Sequence, residues 1–433
     1  MKNNRFSRVI STFLAVLMLL VLHVPVAAEE LNAIFADGKP RLNLRYRFES
    51  VDDNALQANG QTLQQAHAST LRALFGYQTG SFHGLSATLD FESVIGIGAE
   101  SYNDGSNGKS RFATVVDPTG TELEQLHLHY EGLQDTSIKL GRQYITYRTA
   151  PHHRFIGTIL WRQNWQNHDA LTIRNTFLPT TTLNYAYTWR VNRIFGNDAP
   201  EPLSHFDSNS HLFNIQHKID AIGDLEAYAY LLDFNNAAAF STQTYGASID
   251  GEHNLNSNYS LIYTLEYARQ YDYKNNNLDI DADYLMGAVG VAVRPDNDVI
   301  DMFQLKLAYE LLSGEGGADR FVTILGTNHA FQGWADRFLI TPGDGIRDIY
   351  GSLAMDVAGF SFIAEYHEFS SDNDSYDYGT ELDLLLNRKL RHGLSAQLKY
   401  AHYDADANVV NANRNPVLAA NKSIFWALAQ YQY

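Results

Sequence analysis

Residues 41–51 read RLNLRYRFESV, and apolar and polar side chains alternate along this stretch almost without error. Successive side chains of a β-strand point to opposite faces, so the pattern predicts a strand with one apolar face and one highly charged face. The apolar positions are Leu42, Leu44, Tyr46 and Phe48. The polar positions are Arg41, Asn43, Arg45, Arg47 and Glu49. The stretch alone leaves open which of the two faces meets water.

The same two-residue period recurs along the whole chain, with hardly any helical periodicity. It predicts about eighteen strands, each close to the roughly ten residues that a tilted strand needs to cross a bilayer. The predicted strands cover residues 41–51, 69–79, 84–95, 121–132, 136–146, 169–178, 181–193, 207–219, 224–234, 241–251, 257–270, 281–294, 301–312, 346–357, 359–369, 377–388, 393–403 and 423–433.

The connections between these strands alternate in length. Those after even-numbered strands are tight, as at residues 221–224 and 391–393. Those after odd-numbered strands are mostly longer and more polar, as at residues 96–120, 147–168 and 313–345. Transmembrane barrels pair short periplasmic turns with long outer loops. We therefore predict an all-β fold, a single antiparallel transmembrane β-barrel of about 18 strands with short periplasmic turns and long extracellular loops.

A barrel of this size settles which face meets water. Its interior is too wide for side chains to fill, so water occupies it and the polar face lines the lumen. The apolar face meets lipid, and closure of the sheet satisfies every backbone group in the bilayer. The arginines of residues 41–51 are therefore predicted to point into the lumen. The alternative is a secreted β-protein with many half-buried strands.

Both ends of the sequence fit export to a bacterial outer membrane. Residues 1–28 combine a basic start, a short apolar run and small residues before Glu29, which is typical of a cleaved signal peptide. The barrel domain is then predicted to span residues 29–433. The last strand ends in Tyr433 and resembles the C-terminal signal read by the barrel-insertion machinery. Lipid and lipopolysaccharide of the outer membrane are the expected surroundings.

Composition narrows the partners further. The chain has no cysteine and a formal net charge of −17. An exported chain that is so acidic is a poor partner for nucleic acid, because phosphates are bound by excess positive charge. The expected cargo is instead a small polar or anionic solute, or a polyuronate chain. The sequence leaves open whether a periplasmic partner is needed.

Charged residues sorted by strand face predict a lumen with two different arcs. The first eight strands supply the acids Glu49 and Glu92 and a larger basic set: Arg41, Arg45, Arg47, Arg72, Arg174, Arg190 and Lys218, joined by Lys139 or Arg142 according to where a bulge falls. The later strands supply Glu266, Glu310, Glu365, Glu381 and Asp383, relieved by Lys306 and Lys399. Guanidinium groups favour carboxylates and phosphates. The alternative is that the charges only keep a wide barrel hydrated.

Motifs for catalysis are missing, and we predict no enzyme, no catalytic residue and no cofactor. The chain has no Gly-x-Ser-x-Gly, Walker or His-Glu-x-x-His motif. Four histidines, His127, His129, His152 and His153, lack a fixed spacing to a carboxylate, so no metal site is predicted from them. Acidic loops such as residues 370–378 lack EF-hand spacing and are expected to be solvated.

Two stretches together resemble the alginate-export family of Gram-negative outer-membrane barrels. The first is residues 139–177, matching at Gly141, Arg142, Gln143, Arg154, Gly157, Trp161, Gln163, Asp169 and Arg174. The second is residues 324–353, matching at Asn328, His329, Gly333, Trp334, Asp336 and Asp348. The resemblance implies an eighteen-stranded barrel with an arginine-lined constriction for a polyanionic uronate chain. It implies constriction roles for Arg45, Arg47, Arg142, Arg154, Arg174 and Arg190. The acidic late strands depart from a uniformly basic tunnel.

The connection 313–345 is too long for a tight turn, and we hypothesise that it folds inward or caps the mouth. The alternative is an ordered loop packed on the rim. Its constriction candidates are Asn328, His329, Phe331, Trp334, Asp336 and Arg337. We interpret the chain as a channel for passive, selective passage of polar or anionic solutes, with uronate saccharides as the specific expectation. The alternatives are a general diffusion porin, or a non-transport barrel acting as an enzyme or adhesin.

Overall fold

The computed structural model describes residues 34–57, 59–297 and 299–433. The predicted signal peptide lies outside these residues. Eighteen strands make one antiparallel sheet in which every strand pairs with its neighbours in sequence. The strands are β1 (Lys39–Asp53), β2 (Ala66–Gln78), β3 (Leu85–Ser101), β4 (Gly120–Leu133), β5 (Thr136–Gln143), β6 (Asn167–Asn175), β7 (Thr181–Asn192), β8 (His205–Ile219), β9 (Gly223–Leu232), β10 (Thr242–Asn254), β11 (Tyr259–Asp272), β12 (Asp281–Val293), β13 (Ile300–Leu312), β14 (Ile346–Val357), β15 (Phe360–Ser370), β16 (Asp377–Lys389), β17 (Leu394–Ala405) and β18 (Lys422–Gln432).

The sheet closes because β18 pairs with β1, with Phe48 opposite Ala427. The prediction of a closed eighteen-stranded antiparallel barrel is confirmed. Each predicted strand coincides with an observed one, because alternation is a local signal carried by every strand. The described chain also has a short α-helix, α1 (Val409–Arg414), and short 3-10 turns at Ala238–Phe240 and Asn328–Ala330. No helix in this part of the chain is long and apolar enough to cross a membrane.

Burial is inverted relative to a soluble protein. Large apolar side chains face outward, with Leu305 and Leu307 of β13 57% and 61% exposed. The most deeply buried large side chains include the charged Arg47 and Arg72. This distribution suits a wall with lipid outside and polar groups inside.

Long and short connections alternate as predicted. Residues 134–135 and 358–359 are tight turns at one end of the barrel. Residues 144–166 and 313–345 are long connections at the other end. We call residues 144–166 the first inward loop and residues 313–345 the second inward loop. Both pack inside the barrel and determine the shape of the lumen.

Candidate functional site

The arginines of β1 and β2 lie on the inner face, but the first inward loop covers them. Arg45 donates from Nε to Oε1 of Gln163 at 2.9 Å and from Nη1 to the carbonyl of Leu160 at 2.7 Å. Arg47 donates to the carbonyl of Trp161. Carbonyl oxygens at a sharp loop have no strand partners, so these guanidinium groups satisfy them. The basic face of residues 41–51 therefore anchors a loop.

Carboxylates and indole rings complete this anchorage. Arg47 pairs with Glu49 and lies 3.5 Å from Asp117, and Arg72 pairs with Glu92. The guanidinium carbon of Arg72 lies 3.6 Å from the ring centroid of Trp165 in the first inward loop. A guanidinium stacked on an indole is attracted to the face of the ring. Removing one partner from such a buried set leaves an uncompensated charge, which is strongly destabilising.

The second inward loop binds to the wall formed by the late strands. Backbone N–H groups of Trp334 and Ala335 donate to Asp383 at 3.0 Å and Glu381 at 2.5 Å. The side-chain amide of Gln332 donates to Glu310. Acidic side chains of the late strands thus serve as acceptors for this loop.

Close backbone approach at Gly333 makes that docking possible. Its φ is +78°, and a Cβ at this position would lie 2.5 Å from the carboxyl group of Glu381. Only glycine reaches this φ without strain and leaves room for the carboxylate.

The two inward loops are joined across the lumen. The N–H of Gly157 donates to the carbonyl of Leu325 at 3.0 Å, and the N–H of Thr327 donates to the carbonyl of His153 at 2.8 Å. Arg162 pairs with Asp336 at 2.9 Å. Because the loops are joined to each other as well as to the barrel wall, they form one polar partition inside the barrel.

Buried ion pairs also fix the first inward loop to the late strands. Arg148 lies 2.6 Å from Glu226 and donates from Nη1 to Glu266 at 2.9 Å. Arg154 lies 3.1 Å from Glu310 and donates to Gln332 of the other loop at 2.9 Å. These acids are consequently neutralised by loop arginines rather than exposed to solute.

A cavity of about 1280 Å³ lies inside the barrel against this partition. Its charged wall includes Lys306 and Glu365, and Lys218 and Asp224 lie beside a short turn. Phe331 and Trp334 contribute aromatic surface from the second inward loop. The cavity is thus polar on its strands and partly aromatic on its loops.

Lys306 is a cation of this wall that forms neither an ion pair nor a side-chain hydrogen bond in the described chain. Its ammonium lies 5.4 Å from the ring centroid of Tyr350. It forms no ion pair within residues 34–57, 59–297 and 299–433. Burial, and then the charge of Lys306, lower the pKa of His152 in the first inward loop. The neighbouring imidazole is therefore neutral at neutral pH and leaves Lys306 as the local positive charge.

Two predicted lumen residues, Arg142 and Arg190, lie on the outward side instead. Arg142 is in register with Leu126, which is 51% exposed, and with Asp169, to which it pairs at 2.7 Å. Arg190 is in register with the same Asp169. Strand alternation continues unbroken through β5, so Lys139 rather than Arg142 takes the inward position.

The remaining predicted site residues have local roles or lie at the ends of the barrel. Arg41 pairs with Asp90 at 2.6 Å. Arg174 is inward but exposed at the end of β6. Arg337 pairs with Asp53 at 2.8 Å, which ties the second inward loop to β1. Asn328 bonds within its own loop, accepting from Thr323 at 2.8 Å.

Lys399 lies in an aromatic cage that the sequence did not indicate. Its Nζ is 3.7 Å from the ring centroid of Trp334 and 4.4 Å from that of Trp161. It also lies 2.7 Å from Nε2 of His329.

The four histidines considered from the sequence belong to neither of the two His–carboxylate groups found in the described chain, Glu365–His367–Asp383 and Glu201–His205–Asp207. The first group joins residues of two strands, and the second is a local run that matches no metal-binding motif, so neither could be predicted from the sequence.

No protein-family model matches the sequence, and no curated protein matches it significantly. Solved structures do match. Pseudomonas aeruginosa OccK9 (OpdG) aligns with a TM-score of 0.68 and 14% identity over 92% of this chain and 99% of that chain. A BenF-like porin from Pseudomonas fluorescens Pf-5 aligns with a TM-score of 0.67 and 10% identity over 92% of this chain and 99% of that chain. Pseudomonas aeruginosa OpdK, solved with vanillate, aligns with a TM-score of 0.64 and 14% identity over 92% of this chain and 99% of that chain.

These neighbours are porin channels and not enzymes, and the fold is that of bacterial outer-membrane porins. They correct the resemblance to the alginate-export family, which the comparisons do not support. The stretches that carried the resemblance, residues 139–177 and 324–353, include the parts of the two inward loops that meet inside the lumen.

Proposed function

We propose that the chain is a passive outer-membrane channel for small polar solutes and that it prefers small carboxylates. The observation that carries this proposal is the position of Lys306, an unpaired ammonium on the wall of the cavity beside the inward loops. A carboxylate that reaches this point would gain a charge-assisted hydrogen bond without displacing an existing ion pair.

The surroundings of Lys306 favour flat cargo over a flexible polymer. Tyr350 and Phe331 offer ring faces near the ammonium, and the neutral His152 adds a further planar group. Ring faces stack with planar solutes, while the ammonium orients a carboxylate. OpdK, one of the similar structures, was solved with vanillate, a small aromatic carboxylate.

The second candidate is non-selective diffusion of small polar solutes. It is favoured by the acids of the same cavity, because Asp224, Asp250 and Glu365 line it together with Lys306. A wall with both signs of charge sets a transverse field that orients dipolar solutes of either net charge.

The experiment that separates the two candidates is a flux assay in proteoliposomes. We would compare 4-hydroxybenzoate with the uncharged 4-hydroxybenzamide for the wild type and for Lys306→Gln. The proposal expects the wild type to pass the carboxylate several-fold faster and the variant to lose that preference. Lys274→Gln removes the same charge from an exposed outer loop and should behave as the wild type.

Each remaining outcome is informative. Equal fluxes of the two solutes through the wild type would favour general diffusion. A carboxylate preference that survives in Lys306→Gln would place selectivity elsewhere. No flux of either solute would contradict a channel.

A further inference from the structure

Four carboxylates surround one imidazole on the inner wall formed by β14, β15 and β16. Glu365 and His367 are two residues apart on β15 and therefore share the inner face. Asp383 of β16 is directly opposite Glu365, and Glu381 is directly opposite His367. Like charges directly opposite each other destabilise a sheet unless a cation lies between them.

Asp348 of β14 orients the imidazole. His367 Nδ1 lies 2.9 Å and 3.0 Å from the two carboxylate oxygens of Asp348. This contact places a proton on Nδ1 and leaves Nε2 as the nitrogen that would bind a cation, in competition with a proton. A carboxylate behind a histidine is the arrangement that commonly orients metal-binding imidazoles in proteins.

Tyr350 and Phe369 hold the ring plane of His367. The ring centroid of Tyr350 lies 4.7 Å from that of His367, with 23° between the planes. The ring centroid of Phe369 lies 5.4 Å away, with 17° between the planes. The direction of the Nε2 lone pair is consequently fixed by stacking as well as by Asp348.

Three buried polar atoms of this cluster have no hydrogen-bond partner: Nε2 of His367, Oδ1 of Asp383 and Oε2 of Glu381. The backbone N–H of Trp334 donates to the other oxygen of Asp383, Oδ2, at 3.0 Å. No lysine or arginine of the described chain pairs with Glu365, Glu381 or Asp383. Buried polar atoms are nearly always satisfied. One proton shared between Glu381 and Asp383 would satisfy those two carboxyl groups, so Nε2 of His367 is the atom that points to a missing partner.

We propose that Glu365, His367 and Asp383 bind a divalent transition-metal cation of the Zn²⁺ class. One ligand atom from each residue lies within 4.8 Å of the others, a separation that small side-chain rotations reduce to that of a tetrahedral zinc site. One nitrogen and two oxygens suit zinc and its neighbours, whereas calcium prefers oxygen ligands alone.

The bound cation would face the solute. Glu365 and His367 line the cavity, so coordination positions not filled by the protein would be open to water or to a carboxylate. Ser352 of β14 is directly opposite Lys306 of β13 on one side and Glu365 of β15 on the other, so the metal site lies two strands from Lys306. The metal site goes beyond the proposed transport function, because its occupancy does not depend on solute passage.

Calorimetric titration of the refolded full chain with Zn²⁺ tests the proposal. We expect one equivalent of Zn²⁺ per chain, affinity reduced at least tenfold in Glu365→Gln, and no saturable binding in His367→Gln. Glu365 is half-buried and forms no hydrogen bond in the described chain, so Glu365→Gln is expected to keep the fold. His217→Gln is the control, because His217 bonds to Thr181 at 2.8 Å away from the cluster.

A second readout identifies the imidazole. Cu²⁺ bound in place of Zn²⁺ should show nitrogen coupling in its electron paramagnetic resonance spectrum, and His367→Gln should remove it. The proposal is overturned if the wild type binds neither ion saturably, or if both cluster variants bind Zn²⁺ as the wild type does. If the wild type bound Zn²⁺ but passed neither solute in the flux assay, the channel proposal would fail and the metal-site proposal would stand.

Discussion

The indole of Trp161 lies parallel to the imidazole of His329, with 4.1 Å between ring centroids and 5° between planes. Each ring comes from a different inward loop, so the stack joins the two loops beside β1, β17 and β18. Arg47 and Lys399 place their charges 4.5 Å and 4.4 Å from the centroid of the same indole. This relationship turns two loops into a single partition.

Trp161→Ala should loosen that partition. Replacing a packed aromatic ring by alanine costs about 3–5 kcal/mol. Here the loss weakens the contact between the two loops and leaves the barrel itself intact. We expect larger and noisier single-channel currents with unchanged heat-modifiable gel mobility, which reports the intact barrel. Currents identical to the wild type would show that the stack does not restrict the pore.

Arg47 and Arg174 should behave differently although both are inward arginines. Arg47→Gln leaves Asp117 without its ion-pair partner and leaves Glu49 with Arg162 alone, which costs on the order of 3 kcal/mol at a buried site, so conductance should rise. Arg174 is exposed at the end of β6, so Arg174→Gln should change only ion selectivity, and slightly. Bilayer conductance and reversal potential measure the two effects. Matching phenotypes for the two variants would refute the division between anchoring and lumen arginines.

Gly333→Ala should open the second inward loop. The added Cβ meets the carboxyl group of Glu381 and is strained at a φ of +78°. Gly317→Ala is a matched control, because Gly317 also has a positive φ of +96° but nothing within 4 Å of its Cβ position. We expect higher conductance for Gly333→Ala alone. An equal rise in both variants would assign the effect to backbone strain.

Acid should weaken the partition through His329. Burial lowers the pKa of this imidazole to about 3, from an ordinary value of about 6.5. Nδ1 donates to Asp336 at 2.7 Å, which favours the charged ring, but burial and the ammonium of Lys399, which donates to Nε2 at 2.7 Å, keep the ring neutral. The docked loop therefore binds fewer protons than a released loop, so docking is complete above about pH 6.5 and is progressively lost toward pH 3.

The measurement for this pH effect is conductance between about pH 7 and pH 4. We expect a rise in the wild type and a flat response in His329→Gln, whose side chain does not titrate in this range. If the conductance of His329→Gln rose by the same amount, a group other than His329 would be responsible for the pH dependence.

The fold could be predicted from the sequence because its signal is local and repeated. Each strand carries its own alternation, as residues 41–51 do, and closure follows once lipid excludes a free sheet edge. The inward direction of Arg45 and Arg47 follows from the same alternation. The prediction for Arg142 was wrong because residues 137–145 alone do not show whether a bulge interrupts their alternation, and β5 has none between Ile138 and Arg142.

The lumen could be predicted only in part because its contacts join distant segments. Nothing in residues 41–51 shows that Leu160 and Trp161 will supply carbonyl oxygens to their arginines. The cluster around His367 likewise combines three strands. The one available signal was the density of Trp, Arg and Gln in residues 161–166, which is unusual for a solvated loop.

Single-channel recording of the refolded chain in a planar bilayer tests the central claim, a channel narrowed by two joined loops. The wild type would be compared with a variant in which a short Gly–Ser linker replaces residues 321–339. The account predicts discrete, small current steps for the wild type and several-fold larger steps for the variant. Equal steps in the two proteins, or no steps in either, would contradict it.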